Sequence, residues 1–145
     1  MLGVDLGAQR IGLALSDPLG MVASPLMMWR RSGDVASDHA AILRTAAENE
    51  AAVIVVGVPY SLSTGRPGRA AKAALEEVTR LAELAAAADP PLRVETSDER
   101  LTTVTAQRSL ATSGVPAKKR KGLVDMMAAA VILQSWLDGH PRKDS

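Results

Sequence analysis

The sequence predicts an α/β domain: a five-stranded mixed sheet, antiparallel hairpin strands first and parallel βα units after, with helices on both faces. Three observations point there. Two short apolar segments near the N-terminus, Leu2 to Gly7 and Ile11 to Ser16, flank a glycine-containing turn, as a hairpin does. Ala51 to Gly57 is a continuous run of mostly β-branched residues, the pattern of a parallel strand covered on both faces. Segments of helical length then alternate with short strands, which is the order of βα units.

Taken in order, the hairpin is followed by Val22 to Trp29, a third strand in which Pro25 predicts an edge position or a bend. Asp34 to Glu50 is expected to be helical, because Val35, His39, Ile42, Leu43 and Ala46 recur on one face. After the β-branched run comes a Gly/Ser/Pro-rich loop from Val58 to Gly68. An Ala-rich helix from Arg69 to Ala88 follows, stopped by Asp89, Pro90 and Pro91. Leu92 to Thr96 reads as the last strand, with Ser97 to Arg100 where the chain leaves the sheet. Helices are expected over Thr102 to Thr112 and Lys119 to Leu137. Residues 1–138 are read as one domain and residues 139–145 as a polar tail.

Composition narrows the function classes. A chain of 145 residues fits one domain, and 47% apolar content supports a real core. That core must be built from Ala, Val, Leu, Ile and Met, since there is no Phe, one Tyr and two Trp, which argues for close helix-on-sheet packing. It argues against a nucleic-acid binder built on stacking platforms, which needs several exposed rings. The absence of Cys excludes disulfides, thiolate zinc sites and a cysteine nucleophile, and fits a reducing compartment. His39 and His140 are too far apart in sequence for a multi-histidine metal site. The longest apolar runs are about eight residues, well short of the ~20 that span a bilayer. No basic leader precedes an apolar stretch, so a soluble cytoplasmic protein without a membrane partner is expected. A net charge of +1 predicts no partner, but Lys118, Lys119, Arg120 and Lys121 concentrate positive charge close to Asp125.

The chemistry rests on acids. Asp5 lies in a strand that should be at the sheet centre, where a carboxylate is expensive to desolvate and is usually present for a metal, a phosphate or a base. Asp98 and Glu99 follow the last strand, and ligands of such sheets gather at the carboxyl ends of the parallel strands. Asp125 begins a helical stripe that continues through Ala129, Ile132 and Trp136, which turns it toward the sheet. Each acid alone has an ordinary explanation: turn hydrogen bonding, helix capping, or a helix N-terminus. Three converging carboxylates would raise one another's pKa values until a proton or a cation entered. Oxygen-only ligands select hard cations, Mg²⁺ or Mn²⁺, which activate water and stabilise a leaving oxygen in phosphodiester cleavage. Arg10, Arg100 and the basic run Lys118, Lys119, Arg120 and Lys121 would then hold the phosphate backbone.

These residues also carry a resemblance. Gly3, Asp5 and Gly7, then Arg10 and Gly12, Ser16 and Asp17, Gly57 and Pro59, the run from Asp98 to Thr103, and Asp125 followed by Ala128 to Ala130, Ile132, Gln134 and Leu137, together resemble the YqgF/RuvX family. The ordered set spans residues 3 to 137. The resemblance implies an RNase H-like fold related to the Holliday junction resolvase RuvC. It implies a nuclease that processes the 5′ end of pre-16S rRNA in ribosome biogenesis, with resolution of DNA junctions as the alternative activity. By position, Asp5, Glu99 and Asp125 would be the catalytic, metal-binding acids, with two ions when substrate is bound, and Arg10 and Arg100 organising neighbours. Structured RNA or branched DNA would be the partner, for a monomer or a homodimer. The chain departs from such nucleases at positions 128 to 130, all Ala where a fourth acid is often placed, at Gln9, where Lys is frequent, and in the Ser/Thr-rich loop after Pro59.

Rival readings are weaker. Sugar kinases and actin-like ATPases share an Asp-containing first hairpin, but this chain is too short for two lobes and has no G-x-x-x-x-G-K-[ST] loop. A serine hydrolase lacks its Gly-x-Ser-x-Gly turn here. A binding or transcription-associated factor with vestigial acids is the rival from another class, and it would be indifferent to loss of Asp5.

Overall fold

Alternation along each strand sorts the core into two halves, one on either side of a single sheet. The computed structural model describes residues 1–58, 69–98 and 117–140, with residues 69, 70 and 117–125 described by their backbone alone. The strands are β1 (Leu2–Leu6), β2 (Arg10–Ser16), β3 (Ala23–Arg30), β4 (Val53–Val58) and β5 (Arg93–Asp98). They form one sheet in the order β3-β2-β1-β4-β5. β1 pairs antiparallel with β2 and parallel with β4; β2–β3 is antiparallel and β4–β5 parallel. This is the mixed sheet expected from the sequence.

Helices α1 (Val35–Glu48) and α2 (Arg69–Ala86) cover one face. There Leu2, Val4, Ile11, Leu13, Ile54 and Val56 pack with Ile42 and Ala46 of α1 and Val78 and Leu81 of α2. Helix α3 (Ala117–Gly139) covers the other face, where Ala129, Ile132, Leu133 and Trp136 meet Ala14 and Val55. β4 therefore feeds both halves, which is why its run is apolar without alternation.

Pro25 does both things expected of it. β3 is an edge strand, and its register against β2 slips by one residue, so that Leu13 pairs with Met27 while Ala14 pairs with Pro25. The extra residue makes a β-bulge. α3 is tied to the start of this strand by Gln134, whose Oε1 accepts from the Ala23 N–H at 2.9 Å and whose Nε2 donates to the Met21 carbonyl at 2.9 Å.

Several boundaries differ from expectation. α1 stops at Glu48 instead of Glu50, because Glu50 takes a left-handed conformation (φ 55°). The Glu50 N–H donates to the Ala47 carbonyl and the Ala51 N–H to the Ala46 carbonyl, the paired bonds of a Schellman stop. Its other end is capped by Asp34, whose side chain accepts from the Ala36 N–H. β5 runs two residues further than expected, to Asp98, because β4 offers Gly57 and Val58 as ladder partners for Ser97 and Asp98. α2 ends two residues earlier than expected, and α3 begins and ends two residues beyond its expected limits. The helix expected over Thr102 to Thr112 and the loop after Pro59 lie outside the described residues. Among the described residues, no helix is long and apolar enough to cross a membrane.

Candidate active site

Facing along β1 is fixed by Gly3. A Cβ there would stand 2.7 Å from Leu133 Cβ and 2.8 Å from the Ala129 carbonyl oxygen, so the α3 backbone lies directly over this glycine. Leu2 and Val4 point the other way, into the α1–α2 core. Asp5 has the parity of Gly3 and therefore the α3 side of the sheet, where it is half-buried. On that side it pairs with Gly12 of β2. It also follows the Val4–Val56 pair, which puts it level with Gly57 of β4. The carboxylate thus stands between two strands that contribute no side chain at its level.

α3 runs antiparallel to β1. Trp136 and Leu137 border a cavity shared with Met1, Leu15 and Ser16, while Ala129 and Leu133 cover Gly3. About one turn before Ala129 stands residue 125, about 6 Å back along the helix. Two residues after Gly3 stands Asp5, about 6.8 Å on along the strand. The two steps lead in the same direction. Ala128, Ala129 and Ala130 are all buried, the last two in the core between α3 and the sheet, so the stretch often given a fourth acid is apolar and closed to solvent here.

At the far side of β4, the parity of β5 separates two neighbouring acids. Val94 packs into the α1–α2 core, so Asp98 shares that facing, whereas Ser97 shares the facing of Asp5. Glu99 and Arg100 lie outside the described residues, as do the side chains of Asp125, Lys118, Lys119, Arg120 and Lys121, whose backbone forms the first turns of α3. Among the described residues no three acid or histidine side chains gather as a metal cluster. Arg10 opens β2, half-buried, at the same end of the sheet as Asp5.

One group near the site has no counterpart in the sequence reading. Arg31, just past β3, donates from Nε to the Gly7 carbonyl at 2.7 Å and from its backbone N–H to the Gln9 carbonyl at 2.8 Å. Its two terminal nitrogens donate to the two carboxylate oxygens of Glu77, each at 2.9 Å. His39, fully buried in α1, places Nε2 2.9 Å from Glu77 Oε2. Burial works to raise the Glu77 pKa, but the hydrogen bonds from Arg31 and His39, with the charge of Arg31, outweigh it and hold the carboxyl below its ordinary value. The cluster pins the β1–β2 turn, two residues beyond Asp5, to both helices of the opposite layer. The available signal was His39 on the apolar face of its helix, a polar group that needed a partner.

Comparison with known proteins agrees with this layout. A family model described as RuvX, Holliday junction resolvase, matches residues 1–139. The chain belongs to that family. Family membership makes it a nuclease, a hydrolase of phosphodiester bonds. Relatives from Mycobacterium tuberculosis (strain ATCC 25618 / H37Rv) and Mycobacterium ulcerans (strain Agy99), both named "Putative pre-16S rRNA nuclease", are 47% and 45% identical over 138 residues, covering 94% of this chain and 77% of theirs. Among solved structures, T. thermophilus RuvC in complex with a Holliday junction substrate is similar in fold, with a TM-score of 0.54 and 18% identity over 96% of this chain and 94% of that one. The Fowlpox virus resolvase in its junction complex gives a TM-score of 0.53 at 9% identity, covering 97% and 98%. The RNase H-like fold expected from the resemblance is the fold of the RuvX chain.

Proposed function

We propose that this RuvX chain cuts the 5′ extension of pre-16S rRNA, with Asp5, Glu99 and Asp125 as its catalytic acids. The observation that carries the reading is Asp5: a half-buried carboxylate on the α3 side of the central strand, flanked by Gly12 and Gly57, with residue 125 on the covering helix one turn beyond the Gly3 contact. Of the pair Asp98 and Glu99, Asp98 faces the opposite layer, which favours Glu99, the acid that the family resemblance implies. The names of the mycobacterial relatives support pre-16S rRNA as the substrate.

Nucleases of the resolvase type generally depend on divalent metal, and an all-oxygen donor set fits Mg²⁺ or Mn²⁺. When bound, such an ion supplies charge stabilisation on the phosphate and a nucleophile at neutral pH. The chain's own part is to hold Asp5 on the central strand and residue 125 on α3, and to keep the sheet surface beside Asp5 clear of side chains. Arg10, Arg100 and Lys118 to Lys121 neutralise and position the phosphate backbone.

The test is cleavage, in Mg²⁺ or Mn²⁺, of a 5′-extended 16S rRNA precursor beside a four-way DNA junction. Asp125→Asn and a chelator serve as controls, each expected to reduce the rate at least 100-fold, as loss of a group acting in the transition state does. Junction cutting without RNA cutting would favour the resolvase activity that the family description carries. Binding of both probes with neither cut would leave the binding-factor reading.

A further inference from the structure

We infer that Arg30, beside Arg10, forms a subsite for a flanking phosphate of the nucleic-acid strand, on the same sheet face as Asp5. This rests on the nuclease reading above.

The register of the antiparallel β2–β3 pair sets Arg10 directly opposite Arg30. The pairing sets two positive residues side by side along this end of the sheet. Facing sets both on one side. Trp29 packs into the α1–α2 core and Arg31 turns the same way to reach Glu77, so Arg30 between them faces the α3 side. Ile11 lies in the α1–α2 core as well, which gives Arg10 the α3 side. Asp5 shares that side and pairs with Gly12, two residues after Arg10. Both guanidinium groups therefore rise from the face and the end of the sheet that carry the acid.

The adjacent arginines are treated differently by the fold. Arg31 is mostly buried and held by both oxygens of Glu77. Arg30 is exposed and, among the described residues, makes no ion pair. The forked guanidinium of Arg30 matches the geometry of a phosphate, and the neighbouring charge of Arg10 adds to the attraction for an anion there. With strands about 4.8 Å apart, Arg30 on the second strand from β1 has its Cα about 12 Å from that of Asp5. A phosphate it holds is a neighbour of the reacting one. The platform is also rigid: Arg31 clamps the Gly7 carbonyl, and a Cβ at Gly7 would stand 2.6 Å from the Arg10 carbonyl oxygen, so the turn that delivers Arg10 is closely closed. Phosphate contacts carry no sequence information, so the subsite adds affinity and register alike for RNA and DNA.

The experiment measures binding in an Asp5→Asn background, with the 5′-extended 16S rRNA precursor and the four-way DNA junction as probes, between about 50 and 200 mM salt. Arg30→Ala is expected to bind both probes more weakly and to flatten the plot of log affinity against log salt by about 0.7 to 0.9, so the background chain loses about threefold more affinity over that range. Arg30→Lys keeps the slope. Thermal stability of Arg30→Ala does not fall, because Arg30 is exposed and makes no ion pair among the described residues. Unchanged affinity and slope in Arg30→Ala would overturn the subsite, as would weaker binding matched by a lower melting temperature with the slope unchanged. Cleavage by the unsubstituted chain is scored separately. Binding with an Arg30-dependent slope but no cutting supports the subsite and overturns the nuclease reading; cutting with no effect of Arg30→Ala does the reverse. Failure to bind either probe overturns both.

Discussion

Glu77 accepts three hydrogen bonds on two oxygens, from donors that belong to two other parts of the chain. Replacing it by Gln removes the charge that Arg31 pairs with and leaves a guanidinium mostly buried beside an amide. Hydrogen bonds to charged groups contribute about 1.5–3 kcal/mol each, and the loss expected for Glu77→Gln is about 2 kcal/mol, read as a lower midpoint in urea. The pH dependence follows from the lowered pKa of Glu77. Its stabilisation is present above the unfolded carboxyl value of about 4.3 and is lost as pH falls through the folded value. The unsubstituted chain should therefore lose more stability than Glu77→Gln on acidification from about pH 6 to pH 3; equal losses would remove Glu77 from the account. No sequence spacing announces this group, since residues 31, 39 and 77 meet only after the sheet and both helices are in place. Asp5 was legible for the opposite reason: a lone acid inside a short apolar strand is visible without any tertiary knowledge.

Elements are set by contacts as much as by local pattern. α3 approaches β1 as closely as it does because Gly3 has no side chain, with Leu133 Cβ and the Ala129 carbonyl occupying the space a methyl would need. Backbone on one side and a Cβ on the other cannot move independently, so Gly3→Ala is expected to cost about 3 kcal/mol, the upper range for overpacking, and to lift the helix that carries residue 125. Differential scanning calorimetry reads the first effect, and loss of cleavage at a temperature where the chain is still folded reads the second. α1 offers the converse case. Glu50 occupies a left-handed conformation that costs an ordinary residue about 1 kcal/mol, so Glu50→Gly should raise the unfolding free energy by up to about 1 kcal/mol. The helical period was plain in the sequence, but a glutamate is no signal for a left-handed stop. The end of β5 was equally hidden, because it depends on how far β4 continues beside it.

At the scale of the molecule, a mixed sheet covered on both faces was legible in the sequence, from hairpin strands placed before βα units and from the unbroken apolar run of β4. The site divides differently. The sequence marks the proposed acids one at a time, whereas the facing of Asp5 toward α3 follows from registers, Asp5 with Gly12 and Gly3 under Ala129, that no single segment contains. The apposition of Arg10 and Arg30 is further removed, since it is a property of the β2–β3 register alone.

The bulged, proline-bearing strand at one margin of the sheet has a consequence for crowding in the cell. Pro25 has no N–H to offer and the slipped register bends the margin, so β3 presents no unbroken ladder onto which another chain could add. Growth of the sheet from copy to copy, the first step toward a fibril, is blocked on that side, and two copies that pair there must do so through side chains instead of backbone.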